Sequence, residues 1–433
     1  MNRNEHTARA TVAVARPIAT AGEVFTEGVM IELIAGVNPE HLQLMLWDGS
    51  TEITGAVVEY RGQQYEPAKI EASILSQLTL PARSCPHGSA REFLAEICNL
   101  MKNVVGLDEK SASLVARIVL CSGIVDALPL APALVITGPD NERANRLVNL
   151  LRCLCRHSLP LTGVTQAGLC SLASSVRYTF LIRQAGMSKK LQRLLDDASC
   201  RDRKIPFRGS LLDLFGVQVI RSDSAFGDDP WALRSVQIPM IPIAATLSAF
   251  DQETQRRIAT EFQAKLLSFC RANLGAAQRL NFDASKFSPA LRDLARSLAA
   301  ATPEDAELQD EVFELLREED TESRSARWTD PNVIAVEAVL TAWQESPGEG
   351  VYVSELSDIA QALLNGRGEN SIIDPGTFGK RLRLLGFVTE PRDARGKKLQ
   401  LTEAVHSRAL QLARNLDIPG PENPGEPEIS LQQ

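Results

Sequence analysis

Eight residues, Gly138-Pro139-Asp140-Asn141-Glu142-Arg143-Ala144-Asn145, stand where a phosphate-binding turn would stand. Ala133 to Thr137 before them reads as a short buried strand, and Glu142 to Cys155 reads as an amphipathic helix. A glycine between a strand and a helix N-terminus lets bare amides wrap an anion. Such a loop needs glycine, four residues, then Gly-Lys-Ser/Thr, the lysine meeting phosphate and the hydroxyl holding magnesium. Gly138 is in place, but Arg143 replaces the second glycine, Ala144 the lysine and Asn145 the hydroxyl. Asp140 and Glu142 also bring negative charge to the positive end of the helix dipole, where the anion would sit. A second loss agrees with the first. The apolar run Tyr178 to Ile182 should end in the acid that positions magnesium, and it ends in Arg183-Gln184. Neither ATP nor magnesium is expected as a cofactor by the usual route.

The second candidate lies near the C-terminus. Between Asp374 and Lys398 stand seven basic residues, Lys380, Arg381, Arg383, Arg392, Arg395, Lys397 and Lys398, against Asp374, Glu390 and Asp393, a local excess of four positive charges in a chain of net charge -8. Lys380 and Arg383 are three apart on a predicted helix, and Arg395, Lys397 and Lys398 crowd a predicted hairpin. Phosphate contacts from both elements are geometrically feasible, whereas no bidentate base-reading arrangement is evident.

These residues must be carried by definite elements. Residues 1–22 read as a disordered N-terminus and 23–70 as a small β-rich accessory region, with a turn at Asp48-Gly49-Ser50. Residues 71–130 form a helical lead-in and 131–300 an α/β core, in which the apolar runs Ala133 to Thr137, Tyr178 to Ile182 and Phe215 to Ile220 alternate with helical stretches as a parallel sheet requires. Residues 301–330 are an acidic helix and linker, with ten acidic residues from Glu304 to Glu322 against Arg317 alone. Residues 331–419 read as helix, helix, helix and β-hairpin (Phe387 to Glu390 with Lys398 to Thr402), the layout of a winged helix, whose third helix enters the major groove. The Pro- and Gly-rich 420–433 is predicted to be disordered.

Residues from about 50 to 418 resemble P-loop ATPases with AAA+ or phage helicase-like cores and a C-terminal winged helix, known mainly from bacterial genomes. The resemblance rests on Ala131 to Pro139, Gly209 to Arg221, Leu233-Arg234-Ser235-Val236 before Pro239, and Ala413-Arg414-Asn415. It implies that the third core strand ends in a polar sensor residue, here Arg221, and that Arg234 near the following strand matches a family arginine. Gly138, Arg143, Ala144, Asn145, Arg183, Arg221 and Arg234 together would then be a degenerate nucleotide site.

With 44% hydrophobic and 23% charged residues among 433, full-length disorder and a uniformly basic nucleic-acid coat are excluded. Asp126 and prolines interrupt the one long apolar stretch, Ile118 to Thr137, so no membrane span is expected, and with no apolar leader the expected address is the cytoplasm. Cys153-Leu154-Cys155-Arg156-His157 and Cys85-Pro86-His87 lack a second Cys-x-x-Cys pair, so no metal is expected, and all eight cysteines read as reduced thiols. The five histidines support no hydrolase triad.

The first expectation is a non-catalytic, ATPase-derived protein that binds nucleic acid through a winged helix and serves a regulatory or assembly role, with a homo-oligomer or an active paralogue as further partner. Two other classes stay open: an atypical ATPase of a DNA-processing or mobile-element system, drawing phosphate charge from Arg143, Arg183 or Arg221, and a protein-docking scaffold.

Overall fold

The computed structural model describes residues 16–36, 41–172, 176–223, 231–244, 247–369, 372–416 and 418. Two compact units emerge, one of residues up to Ala284 with Arg292–Leu316, the other of Ser285–Leu291 with residues from Arg317 on. Among the described residues no helix is long and apolar enough to cross a membrane.

The first unit opens on β-structure, as the alternating pattern predicts. Gly22–Val24, Met30–Ala35, Leu42–Trp47 and Glu52–Gly55 pair antiparallel in that order. The Asp48 carboxylate closes the predicted turn by accepting the Ser50 and Thr51 amides at 2.9 and 2.7 Å. Disorder through residue 22 is corrected: Ile18–Thr20 is a strand, paired in parallel with Gln63–Pro67. Residues 1–15 lie outside the described part.

This β-rich region has no separate core. Its inward side chains Ile31, Leu33, Leu44 and Leu46 join Val135, Phe180 and Ile220 of the central sheet in one cluster. One buried charge crosses the same boundary: Glu32 is bonded by both Nε and Nη2 of Arg156, which also reaches Asp126 at 2.6 Å. Burial pushes the Glu32 carboxyl up, but Arg156 and His157 beside it more than offset this and bring it down to about 2.

The centre follows as helix α1 (Ala90–Val105), α2 (Glu109–Gly123), strand β1 (Ala133–Thr137), α3 (Asn141–Leu154), β2 (Ser158–Thr162), β3 (Thr179–Gln184), α4 (Lys189–Ala198), β4 (Gln218–Ser222), β5 (Val236–Pro239) and α5 (Gln252–Arg279). All five strands are parallel, in the order β5-β1-β4-β3-β2. The largely buried runs of the three interior strands β1, β4 and β3 fit a sheet covered on both faces. Sequence reasoning missed β2, because Pro160 and flanking polar residues disguise it. Proline is tolerated there since β2 is an edge strand. The strand ending at Arg183 is therefore the third, and the one carrying Arg221 the fourth.

The acidic stretch is helical, and only the linker expected within 301–330 is corrected. Ala306–Leu315 is a helix of the first unit, where Asp305 and Glu307 pair with Arg91 and Glu311 meets the buried Arg117 at 3.2 Å. Arg317–Trp328 is a helix of the second unit, so the boundary falls at Leu316 and not in a loop.

In the second unit α6 (Pro331–Glu345), α7 (Val353–Gly366), α8 (Pro375–Leu384) and α9 (Glu403–Asn415) enclose Ile334, Val339, Leu356, Leu382, Phe387 and Leu399. Asp330, Asp374 and Thr402 cap α6, α8 and α9. Gly386, at φ +82°, ends α8, and the Phe387 amide donates back to the Leu382 carbonyl at 2.9 Å. The predicted hairpin needs correction: Lys398–Gln400 pairs antiparallel with Gly350–Tyr352, a stretch without a readable strand signal. Phe387 to Glu390 is not a regular strand and contributes a single ladder bond, Glu390 N–H to the Lys398 carbonyl at 2.7 Å. Residues 419–433 lie outside the described part.

Candidate functional site

At the end of β1 the chain turns on Gly138, whose φ is +105°. A Cβ there would lie 2.5 Å from the Met240 carbonyl oxygen, so glycine is imposed by the close passage of the segment after β5. Met240 N–H donates to the Thr137 carbonyl at 2.6 Å, and Asp140 N–H donates to the Met240 carbonyl at 3.1 Å. The α3 N-terminus is closed as well: the Asp140 carboxylate accepts the Arg143 amide at 3.0 Å, and the Asn141 amide donates to the Pro139 carbonyl.

Arg143 is buried and turned inward. Its Nε donates to the Val105 carbonyl at 2.9 Å, one Nη to Gly106 at 2.8 Å and the other to Ile241. Arg146, one turn on, reaches the carbonyls of Val104 and Ser248. Both guanidiniums thus serve the last carbonyls of α1, where a helix leaves acceptors unpaired and its dipole favours positive charge. Ala144 is buried and Asn145 half-buried on α3.

The strand ends are different. Arg183 on β3 and Arg221 on β4 are register partners in the parallel ladder. Arg221 is buried and donates to the Asn141 Oδ1 and, at 3.3 Å, to Asp223. Arg183 is exposed, and among the described residues its guanidinium has no hydrogen bond or ion pair. Both line a cleft of about 640 Å³ over the ends of β2, β3 and β4, with Asn141, Thr162, Thr165 and Asp223.

Arg234 does not join them. It precedes β5, whose first residue Val236 is in register with Leu134 near the start of β1, so it lies at the opposite edge of the sheet. There it pairs with Asp196 on α4. Of the seven positions grouped from sequence, Arg183 and Arg221 line a common cleft, Gly138 shapes the adjoining turn, and Arg143 and Arg234 are tied up elsewhere.

In the second unit, Lys380 and Arg383 are exposed on α8. Arg381 faces inward and donates to the Asn332 Oδ1 at 3.1 Å, so it leaves the shared face expected from sequence. Arg392 is exposed beyond α8. Arg395 lies over the Tyr352 ring at 4.7 Å, Lys398 at 5.9 Å, and Lys397 is half-buried with its carbonyl accepting the Val353 amide. Of the three nearby acids, Glu390 is exposed and two are engaged locally: Asp374 accepts the Thr377 amide, and Asp393 accepts the Arg395 and Gly396 amides and the Tyr352 hydroxyl. The Arg395 amide first, then the Tyr352 hydroxyl, holds the Asp393 carboxyl below the usual carboxylate range, and the same hydroxyl contact raises Tyr352. Leu384 and Val388 are 82% and 84% exposed beside these bases.

Among the described residues no three His, Cys, Asp or Glu are placed to hold a metal. All eight cysteines are free, and burial pushes Cys121, Cys155 and Cys270 up to about 12.

No protein-family model matches the chain, and no curated protein does. Among solved structures, the apo C-terminal region of NrS-1 is similar at 14% identity, over 86% of this chain and 96% of that one, with a TM-score of 0.35. The JCV helicase is similar at 14% identity over 53% and 74% of the two chains, with a TM-score of 0.23. Drosophila ORC bound to DNA is similar at 12% identity over 82% and 96%, with a TM-score of 0.19.

Proposed function

We propose that the protein binds nucleic acid through the α8 face and the turn after it, as a winged-helix module does, and that its P-loop-like core serves assembly or regulation without hydrolysing ATP. The observation that carries this reading is the division of charge in the second unit: Lys380, Arg383 and Arg392 face solvent while Asp374 and Asp393 are spent on local amides. Exposed cations without a carboxylate bonded to them are what phosphate contacts require, although Asp374 and Asp393 keep their negative charge and Arg383 Nε also donates to the Gly379 carbonyl at 3.4 Å. The closed α3 N-terminus and the inward Arg143 support the non-catalytic part.

Fluorescence anisotropy of labelled single- and double-stranded DNA with the full chain tests the reading. Four phosphate contacts give a slope of log K on log salt of roughly -3.6 on duplex. Changing Lys380, Arg383, Arg392 and Arg395 to Ala is expected to flatten that slope and weaken binding about a hundredfold, each phosphate contact being modest. Absence of binding at low salt, or binding untouched by the four changes, contradicts it. The exposed Leu384 and Val388 favour a second reading, a protein-docking face, and their substitution by Ser would then abolish partner capture while leaving the salt-dependent DNA signal unchanged.

A further inference from the structure

The cleft at the strand ends contains an arrangement that the nucleic-acid reading does not use. Arg183 and Arg221 occupy register-paired positions on neighbouring parallel strands, which lie about 4.8 Å apart. Like charges at such positions repel unless something lies between or beside them. Arg221 is accounted for by Asn141 and Asp223, but the Arg183 guanidinium has no bonded partner among the described residues and stays in the cleft.

The walls around it are ordered. Gly163 N–H donates to the Arg183 carbonyl at 3.3 Å, and the Val164 amide donates to the Gln184 side-chain oxygen at 2.9 Å, so the loop after β2 is fastened to the end of β3. Thr162 and Thr165 on that loop add hydroxyls to the lining. Among the described residues the one lining carboxylate, Asp223, is the ion-pair partner of Arg221. Asp140 is turned to its own helix amide. At about 640 Å³ the space accommodates a group larger than a single ion.

The geometry points to a site for a small phosphate-bearing anion, held between the Arg183 and Arg221 guanidiniums without a divalent cation. A guanidinium presents parallel N–H donors that match two phosphate oxygens, and it is always charged. With Asp223 paired to Arg221, Arg183 supplies the unopposed positive charge and Arg221 a buried guanidinium beside it. The ligand sits over β3 and β4, and the Asp140, Asn141 and Arg143 amides take no part, since they are already bonded. The inference is independent of the nucleic-acid reading.

The test is isothermal titration of the full chain with inorganic pyrophosphate in EDTA. Saturable one-to-one binding is expected, weakened about tenfold or more in Arg183→Gln, in line with loss of a charge-assisted contact. Arg183→Lys should fall between the two, keeping charge and losing the fork. Because Arg183 is exposed and has no partner among the described residues, thermal melting without ligand should be unchanged in both variants, so loss of binding cannot be ascribed to unfolding. No saturable binding in EDTA, or equal binding by wild type and Arg183→Gln, overturns the site.

Discussion

The start of α3 and the surface around α8 use the same residue types to opposite ends. At α3 the arginines are consumed by backbone: Arg143 and Arg146 feed the open carbonyls of α1, while the acid Asp140 takes the Arg143 amide, one that an anion would need. Around α8 the acids take the amides and Lys380, Arg383 and Arg392 are left facing water. Charge by itself therefore indicates little about a ligand. What counts is which charges remain after the fold has satisfied its own helix ends and turns.

The comparison breaks most visibly at Arg143. Replacing it with Met strands the carbonyls of Val105, Gly106 and Ile241 and should cost about 3 kcal/mol or more in urea unfolding, while DNA affinity stays unchanged. A stable variant that lost ligand binding would mean that Arg143 faces a ligand after all.

The buried charges of the first unit give the next effect. Glu32 is held at about 2 in the fold against an ordinary 4.5, so the stability it contributes is complete above pH 4.5 and is lost as pH falls toward about 2. Urea midpoints between pH 5 and pH 2 should fall in that window, and Glu32→Gln should flatten that part of the curve. A smaller effect separates the neighbours on α8. Arg381→Ala should lower stability by about 1 kcal/mol through its bond to Asn332 and change DNA affinity less than Lys380→Ala or Arg383→Ala does.

Much of this was legible in the residues. The three interior strands of the parallel sheet announce themselves through the apolar runs Ala133 to Thr137, Tyr178 to Ile182 and Phe215 to Ile220, and the first three helices of residues 331–419 by their succession. Pro160 concealed the edge strand β2, since a rule that excludes proline from strands applies to interior ones. Gly350–Tyr352 was hidden because three residues make no pattern until Lys398–Gln400 pairs with them. Sites were harder. Position along the chain put Arg143 beside a phosphate and Arg381 beside DNA, but their destinations depend on carbonyls and an amide oxygen brought close only by folding. Arg183 was named from its place at a strand end, and its pairing with Arg221 became visible only in the sheet register.

The most direct test of the non-catalytic core is phosphate release from ATP with magnesium by the purified full chain, with and without DNA. The account predicts a rate equal to that of buffer, unaltered by Arg183→Gln. Turnover above that level that is abolished by Arg183→Gln, in a variant that keeps the wild-type melting temperature, would contradict it.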